Sequence, residues 1–126
     1  MKTEKLFSVL SSIHPVSTNF RQAVEKVITP LSLPNYFMLL EATKVAECAY
    51  FLDEGFAMSY TFVKGKKQVE WFWRTGEIMV SARSFFEQVP SQEFIQLRNH
   101  SELFCVTHNS VLQLFQTFPE AHFIYR

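Results

Sequence analysis

The segment from residue 56 to residue 73 restricts the possible folds of this chain more than any other. Residues 56–63 read FAMSYTFV and alternate with period two, with large apolar side chains on one face and smaller ones on the other. The polar sequence KGKK follows, and residues 69–73 then read VEWFW. This pattern predicts a β-hairpin with Gly65 in the turn, where a positive φ is needed.

Further short runs with strand character surround this hairpin. Gly55 and Gly76 fall between runs and not inside them. Six to eight short strands with frequent turns favour a β-sandwich or a β-barrel, and the absence of strand–helix alternation argues against a parallel α/β sheet. The additional predicted strands cover residues 36–42, 47–53, 78–80, 93–98 and 102–107.

Helical periodicity marks the N-terminal part of the chain. Ser17, Thr18 or Asn19 can cap the second of two predicted helices. The proline-containing residues 29–34 then end that helix and force an extended backbone. The two apolar stripes with helical spacing are Leu6, Phe7, Leu10 and Phe20, Val24, Val27, Ile28.

A second helical region is predicted at the C-terminal end. Asn109 or Ser110 can cap a helix there, and Pro119 suits the first turn of a final short helix that ends at Arg126. Its apolar stripe consists of Val111, Leu114, Phe115 and Phe118. We therefore predict a single α+β, mainly β, domain over residues 1–126, with helices over about 3–28, a β-roll over about 35–108 and helices over about 109–126.

Charge and hydropathy exclude several classes of protein. The chain has 12 Lys and Arg residues against 12 Asp and Glu residues, so it lacks the basic surface typical of nucleic-acid binding. No apolar run approaches the roughly 18 residues of a membrane span. Glu4 and Lys5 stand where a signal peptide needs its apolar stretch, so we expect a cytoplasmic protein with no membrane association.

Catalytic and metal-binding patterns are weak. The four histidines, His14, His100, His108 and His122, are scattered without the spacing of a helical zinc motif, and no glycine-rich phosphate loop is present. A cupin-type metal roll stays an alternative, although none of these histidines lies within residues 36–73. Cys48 and Cys105 lie in apolar runs and are predicted to be buried free thiols. We expect no enzyme activity, no metal and no resident cofactor.

The segment from Gly76 to Leu97 is the strongest candidate for a binding site. It leaves a short strand through the polar sequence SARS, passes a possible helical turn at FFEQ and returns through Pro90 to another strand. Backbone N–H groups beside Arg83 and Ser81 or Ser84 could hold an anion. The alternative is a connecting loop with one solvated arginine.

The chain contains, in this order, the motifs Tyr50-Phe51-Leu52, Gly55, Gly65-Lys66 and Gly76-Glu77. In their order they resemble the cyclic-nucleotide-binding β-roll of Crp/Fnr transcriptional regulators, with the Phe- and Trp-rich character of Bacteroidetes members. The resemblance covers about residues 16–126. It also includes the final segment SELFCVTHNSVLQLFQTFPEAHFIYR, which is similar to the last strand and following helix of the family.

The resemblance implies a double-stranded β-helix, or jelly roll, with flanking helices, that acts as a ligand sensor in a homodimeric regulator. In the family, a long dimerisation helix and a helix-turn-helix domain follow at the position of Arg126. We therefore expect that DNA binding resides in such a domain outside this chain. This chain has no recognition helix of its own, so it should not recognise DNA bases. A truncated regulator is favoured over a stand-alone sensor or protein-interaction module.

The sequence departs from the family at the cassette that holds the cyclic phosphate. In an alignment without gaps, the family's ribose-binding glutamate falls on Ser81, its arginine on Ser91 and the next residue on Gln92. Glu93 would repel a phosphate, and a buried anion needs a paired cation. We predict no tight cAMP binding and either another effector or none. The resemblance places the candidate ligand-binding residues at Gly76, Glu77, Ser81, Arg83, Ser84, Ser91 and Gln92.

The aromatic residues leave two further hypotheses. Five aromatic residues between positions 71 and 86 could line an apolar effector pocket or could belong to the packed core. The core is the favoured interpretation. An exposed apolar patch would favour association of the isolated domain. The five residues are Trp71, Phe72, Trp73, Phe85 and Phe86.

Overall fold

Two antiparallel sheets form the centre of the molecule, with helices at both ends of the chain. The structure is a computed structural model that describes residues 2–124, apart from the side chain of Phe123. The first sheet has the strand order β1-β8-β3-β6 and the second has the order β2-β7-β4-β5. The strands are β1 (Thr29–Leu33), β2 (Met38–Leu40), β3 (Cys48–Glu54), β4 (Phe56–Val63), β5 (Lys66–Arg74), β6 (Ile78–Met79), β7 (Phe94–Leu97) and β8 (Ser101–Thr107).

The sheets pack face to face around one apolar core. The first sheet contributes Leu52, Met79 and Leu103, all nearly inaccessible to solvent. The second contributes Ala57 and Leu97 in the same way. The sandwich expectation is therefore correct, and the barrel alternative is wrong because the strands divide into two separate sheets.

The N-terminal helices cover the outer face of the first sheet. Helices α1 (Glu4–Ile13) and α2 (Thr18–Val27) have the predicted spacing, and the apolar stripe of α1 is buried. Phe51 and Phe104 meet these helices from the sheet. Ser17 caps α2 by accepting a 3.1 Å hydrogen bond from the N–H of Phe20, which decides between the three predicted caps.

The residues after α2 form a strand that the β-roll prediction, starting at about 35, left out. Residues 29–33 are extended as predicted, and β1 pairs with β8, with Thr29 opposite Cys105 and Leu33 opposite Ser101. Pro30 is tolerated because β1 is an edge strand and needs ladder hydrogen bonds on one side only. The pairing is long-range, so local periodicity does not reveal it.

The β4–β5 hairpin has the predicted turn and a longer second strand. Lys64 and Gly65 both have positive φ, at 54° and 80°, and Val63 pairs directly with Lys66. This is a two-residue turn of the kind that matches the twist of a hairpin. The predicted start of the second strand at residue 69 is therefore too late, since β5 begins at Lys66.

The C-terminal cap was predicted at the wrong residue. Helix α4 (His108–Thr117) is capped by Thr107, whose Oγ1 accepts from the N–H of Ser110 at 3.2 Å, and not by Asn109 or Ser110. Thr107 also ends β8, so the strand passes into the helix without a loop. Helix α5 (Glu120–Ile124) begins one residue after Pro119, and residues 125 and 126, where we predicted its end, lie outside the described part of the chain.

Candidate functional site

A cleft lies between a short helix and the β4–β5 hairpin. The helix, α3 (Ala82–Glu87), occupies the segment where a helical turn was predicted. It ends at Gln88, whose left-handed backbone is held because its side-chain amide donates to the carbonyls of Phe85 and Ala46. The cleft has a volume of about 580 Å³ and is lined by Thr61, Glu70, Ser81, Ala82, Arg83, Ser84, Val89, Pro90, Ser91, Gln92 and Glu93.

Five of the seven predicted ligand-binding residues line this cleft, and two lie elsewhere. The structure brings together Ser81, Arg83, Ser84, Ser91 and Gln92. Gly76 and Glu77 belong to the turn after β5. The N–H of Gly76 donates to the carbonyl of Leu52 at 2.7 Å, and the Glu77 carboxylate accepts from the N–H of Arg74 at 2.6 Å. These two residues therefore shape the connection into β6.

The serine hydroxyls of the cleft are bound to the protein itself. Ser84 Oγ accepts from the N–H of Ala46 at 2.8 Å and donates to the carbonyl of Val89 at 2.6 Å. Ser91 Oγ donates to the carbonyl of Glu93 and accepts from its N–H. Ser81, Ser84 and Ser91 are all buried. The Ser84 and Ser91 hydroxyls therefore hold the loops around α3 together and have little capacity left for a ligand, while Ser81 Oγ lies 3.4 Å from Ser91 Oγ.

The charges in the cleft do not favour an anion. The Arg83 side chain is 74% exposed, and its Nε lies 3.7 Å from a carboxylate oxygen of Glu87, one turn further along α3. Glu70 and Glu93 bring two carboxylates to the lining. Arg83 is the one cationic side chain among the described residues that line the cleft. A phosphate entering here would meet two negative groups and one cation that is solvated.

The sequence analysis did not predict two residues of the cleft lining, Thr61 and Glu70, which lie on the β4–β5 hairpin. Thr61 shares a face with Ser59 and Ala57, so strand alternation alone places it toward the interior. The Thr61 hydroxyl donates to the Glu70 carboxylate at 2.8 Å. The register shifts between Ser59 and Tyr60 and leaves Glu70 as the extra residue of a β-bulge, which no local pattern predicts.

A second, smaller cavity lies between the sheets. It has a volume of about 300 Å³, its walls are mainly apolar, and Ser81 lies in the lining of both spaces. Cys48 and Tyr50 line it from β3. Burial raises the pKa of the Cys48 thiol to about 12, and the neighbouring Cys105 adds to the rise. Burial also raises the pKa of Tyr50 above its ordinary value.

The predicted aromatic set divides between core and surface. Phe85 is completely buried and Trp73 is nearly so, as a core role requires. The core prediction is wrong for Trp71 and Phe72, which are 59% and 46% exposed. Both lie on β5, which is an edge strand of the second sheet. Phe86 is half-buried and stacks on Phe115. None of these five aromatic residues lines either of the two cavities described above.

The described part of the chain offers neither a metal-binding cluster of three or more ligands nor a membrane-spanning helix. Within residues 2–124, no group of three or more His, Cys, Asp or Glu side chains is placed to hold a metal ion. No helix in that range is long and apolar enough to cross a membrane. Both cysteines are free and half-buried, so the prediction of buried thiols is only partly correct.

Comparison with known proteins identifies the fold. No protein-family model and no curated protein matches the sequence. Solved structures do match, and a cyclic nucleotide-binding domain from Methylobacillus flagellatus superimposes with a TM-score of 0.82 at 12% identity, over 94% of this chain and 68% of that chain. The fold is that of a cyclic nucleotide-binding domain.

Two further solved structures share this fold. The sensor domain of the transcriptional regulator DNR from Pseudomonas aeruginosa has a TM-score of 0.79 at 17% identity, over 95% of this chain and 80% of that one. The Catabolite Activator Protein of Thermus thermophilus has a TM-score of 0.78 at 13% identity, over 92% of this chain. The chain spans about half the length of the Thermus protein, at 54%.

Proposed function

We propose that this chain is the effector-sensing domain of a cytoplasmic Crp/Fnr-type transcriptional regulator, with a cassette that does not bind cAMP tightly. The cyclic nucleotide-binding fold supports the sensor role. The structural similarity to the DNR sensor domain and to the Catabolite Activator Protein supports it as well. In this proposal the two sheets form the jelly-roll-like β-roll of the family. DNA is contacted by a separate helix-turn-helix domain, and the role needs no catalysis.

The observation that carries the cAMP part of the proposal is the state of the cassette side chains. The three serines are buried, and the hydroxyls of Ser84 and Ser91 are bonded to backbone groups. Arg83 is exposed and paired with Glu87. A cyclic phosphate in a partly dry cleft needs a charged hydrogen-bonding partner held in place, and Arg83 is not held toward the cleft. The effector proposed for this cleft is therefore a molecule without a phosphate group.

Calorimetric titration of the domain with cAMP and cGMP tests this proposal. We expect no saturable heat up to about 1 mM nucleotide, which corresponds to a binding free energy weaker than about 4 kcal/mol. The R83A variant serves as the matched control and should give the same result. Micromolar binding that R83A abolishes would contradict the proposal, because Arg83 would then act as the missing cassette arginine.

Dimerisation is the second part of the proposal. The β4–β5 hairpin exposes apolar side chains that the described residues leave uncovered, and Phe62 and Trp71 are 56% and 59% exposed. Such a surface is typical of protein contacts. We expect self-association of the domain in light scattering at high concentration, reduced by W71E. The same surface favours a protein-interaction module as the alternative function. A strict monomer would count against self-association through this surface.

A further inference from the structure

The two cysteines of the chain meet on the inner face of the first sheet. In the register of β3 and β8, Cys48 lies opposite Thr107 and Tyr50 lies opposite Cys105, so the cysteines are diagonal neighbours. They share the face of Leu52 and Leu103, which point into the core between the sheets. The Cys105 thiol donates to Cys48 Sγ across 3.8 Å.

This diagonal placement does not suit a disulfide bond. Diagonal residues on antiparallel strands are about 7–8 Å apart, whereas a disulfide joins Cα atoms about 4.4–6.8 Å apart and sulfurs about 2.05 Å apart. Closing the bond would require the sheet backbone to move. The pair therefore presents two reduced thiols that point toward each other, at a separation suited to a single bridging atom.

The surroundings of the thiol pair favour a soft cation. Cys48 lines the inner cavity, whose walls include the apolar side chains of Leu40 and Ile95. Both thiols are half-buried, so an ion can reach them from solvent. Thiolates select soft ions such as Cu(I) over hard ions.

We propose that Cys48 and Cys105 form a binding site for one Cu(I) ion. With metal–thiolate bonds of about 2.3 Å, one ion bound to both sulfurs spans a separation of up to about 4.6 Å, which includes the observed 3.8 Å. On binding, two S–H bonds break and two Cu–S bonds form. The two protons pass to solvent, and copper stays Cu(I), so no oxidant or reductant is needed.

The ligand number distinguishes Cu(I) from zinc at this site. Zinc in structural sites takes four protein ligands. Within residues 2–124 no third His, Cys, Asp or Glu side chain joins the two cysteines in a group able to hold a metal. Two thiolates would fill only half of the four positions that zinc requires. Cu(I) can be bound by two soft donors alone, so two thiolates are sufficient for it. The site lies beside the cassette cleft and does not depend on an effector there.

Anaerobic titration of the 126-residue chain with Cu(I), in competition with a chromophoric Cu(I) chelator, tests this inference. We expect one equivalent of Cu(I) per chain and a loss of at least about 100-fold in affinity in both C48S and C105S. K66A, at the start of β5 and outside the cavity that Cys48 lines, keeps both sulfurs and should bind as the unchanged protein does. Zn(II) in the same competition format should stay with its chelator.

Three results would overturn the inference. They are binding of less than about 0.2 equivalents of Cu(I), affinity that is unchanged in both serine variants, and ready formation of a Cys48–Cys105 disulfide with diamide. X-ray absorption of the copper-loaded unchanged protein supplies a measurement that is independent of variant folding. It should show two sulfur neighbours at about 2.3 Å or slightly less, and nitrogen or oxygen ligation in their place would also overturn the proposal.

Discussion

Ser84 on α3 and Ala46 in the loop before β3 are joined by a 2.8 Å hydrogen bond from the Ala46 N–H to the Ser84 hydroxyl. The same hydroxyl donates to the carbonyl of Val89, so one side chain ties the cassette helix to two loops. Arg83, the preceding residue, is exposed and pairs only within α3. Arg83 and Ser84 were both predicted to bind a ligand, and the charged residue is the less constrained of the two.

Removal of the Ser84 hydroxyl should destabilise the fold. S84A leaves the buried Ala46 N–H without its acceptor, and we expect a loss of about 1–3 kcal/mol in the free energy of unfolding. R83A removes one exposed i,i+4 ion pair and should cost no more than about 0.5 kcal/mol. Urea denaturation of both variants checks this. Equal effects of the two substitutions would contradict the structural role given to Ser84.

Truncation of Phe85 should be more costly than truncation of an exposed phenylalanine. Phe85 is fully buried, and its ring meets those of Phe86 and His108 edge to face. We expect F85A to lose about 3–5 kcal/mol. Phe62 is 56% exposed, so F62A should lose about 1.5 kcal/mol or less. A similar loss in both variants, measured by thermal or urea unfolding, would show that Phe85 is not a core residue.

Alanine substitutions at two glycines should distinguish the cost of steric crowding from the cost of backbone strain. A Cβ added at Gly55 would collide with the side chain of Ser101, whereas a Cβ at Gly65 meets open space. Both residues have positive φ. We expect G65A to cost about 1 kcal/mol through strain alone and G55A to cost about 1–3 kcal/mol more. Chemical denaturation ranks the two variants, and a larger effect at Gly65 would contradict the packing of Gly55 on Ser101.

The thiol pair should make stability sensitive to alkaline pH. Cys48 has an ordinary pKa of 9.0 in the unfolded chain and about 12 in the folded protein, where burial and Cys105 oppose its ionisation. A raised folded pKa means that its contribution is complete below pH 9 and is lost as pH rises toward 12. Unfolding free energies measured over that range should fall less steeply for C48S. An identical slope in both proteins would contradict the raised pKa.

The sequence predicted features that depend on neighbours along the chain. The two-residue turn at Gly65, the buried stripe of α1 and the alternation of β4 all follow from local spacing. Thr107 was missed as the α4 cap because it also completes the strand pattern of β8. A residue that ends a strand and caps the following helix fits both the strand pattern and the cap pattern, so the sequence alone does not decide between them.

Features that depend on strand register were not predictable. The exposure of Trp71 follows from the position of β5 at the sheet edge, and the place of Glu70 in the cleft follows from a bulge. The contact between Cys48 and Cys105 needs the pairing of β3 with β8 over 57 residues of sequence separation. Five of the seven predicted ligand-binding residues nevertheless line one cleft, because they are close together along the chain.

The central claim is that the cleft between α3 and the β4–β5 hairpin does not hold a cyclic nucleotide phosphate. The most direct test is to follow the backbone amide NMR signals of residues 81–93 while cAMP is added to the domain. We predict no saturable shift of these signals up to about 1 mM nucleotide, because Arg83 is turned to solvent and the cleft carries Glu70 and Glu93. Saturable shifts confined to these amides, with a dissociation constant in the micromolar range, would contradict the account.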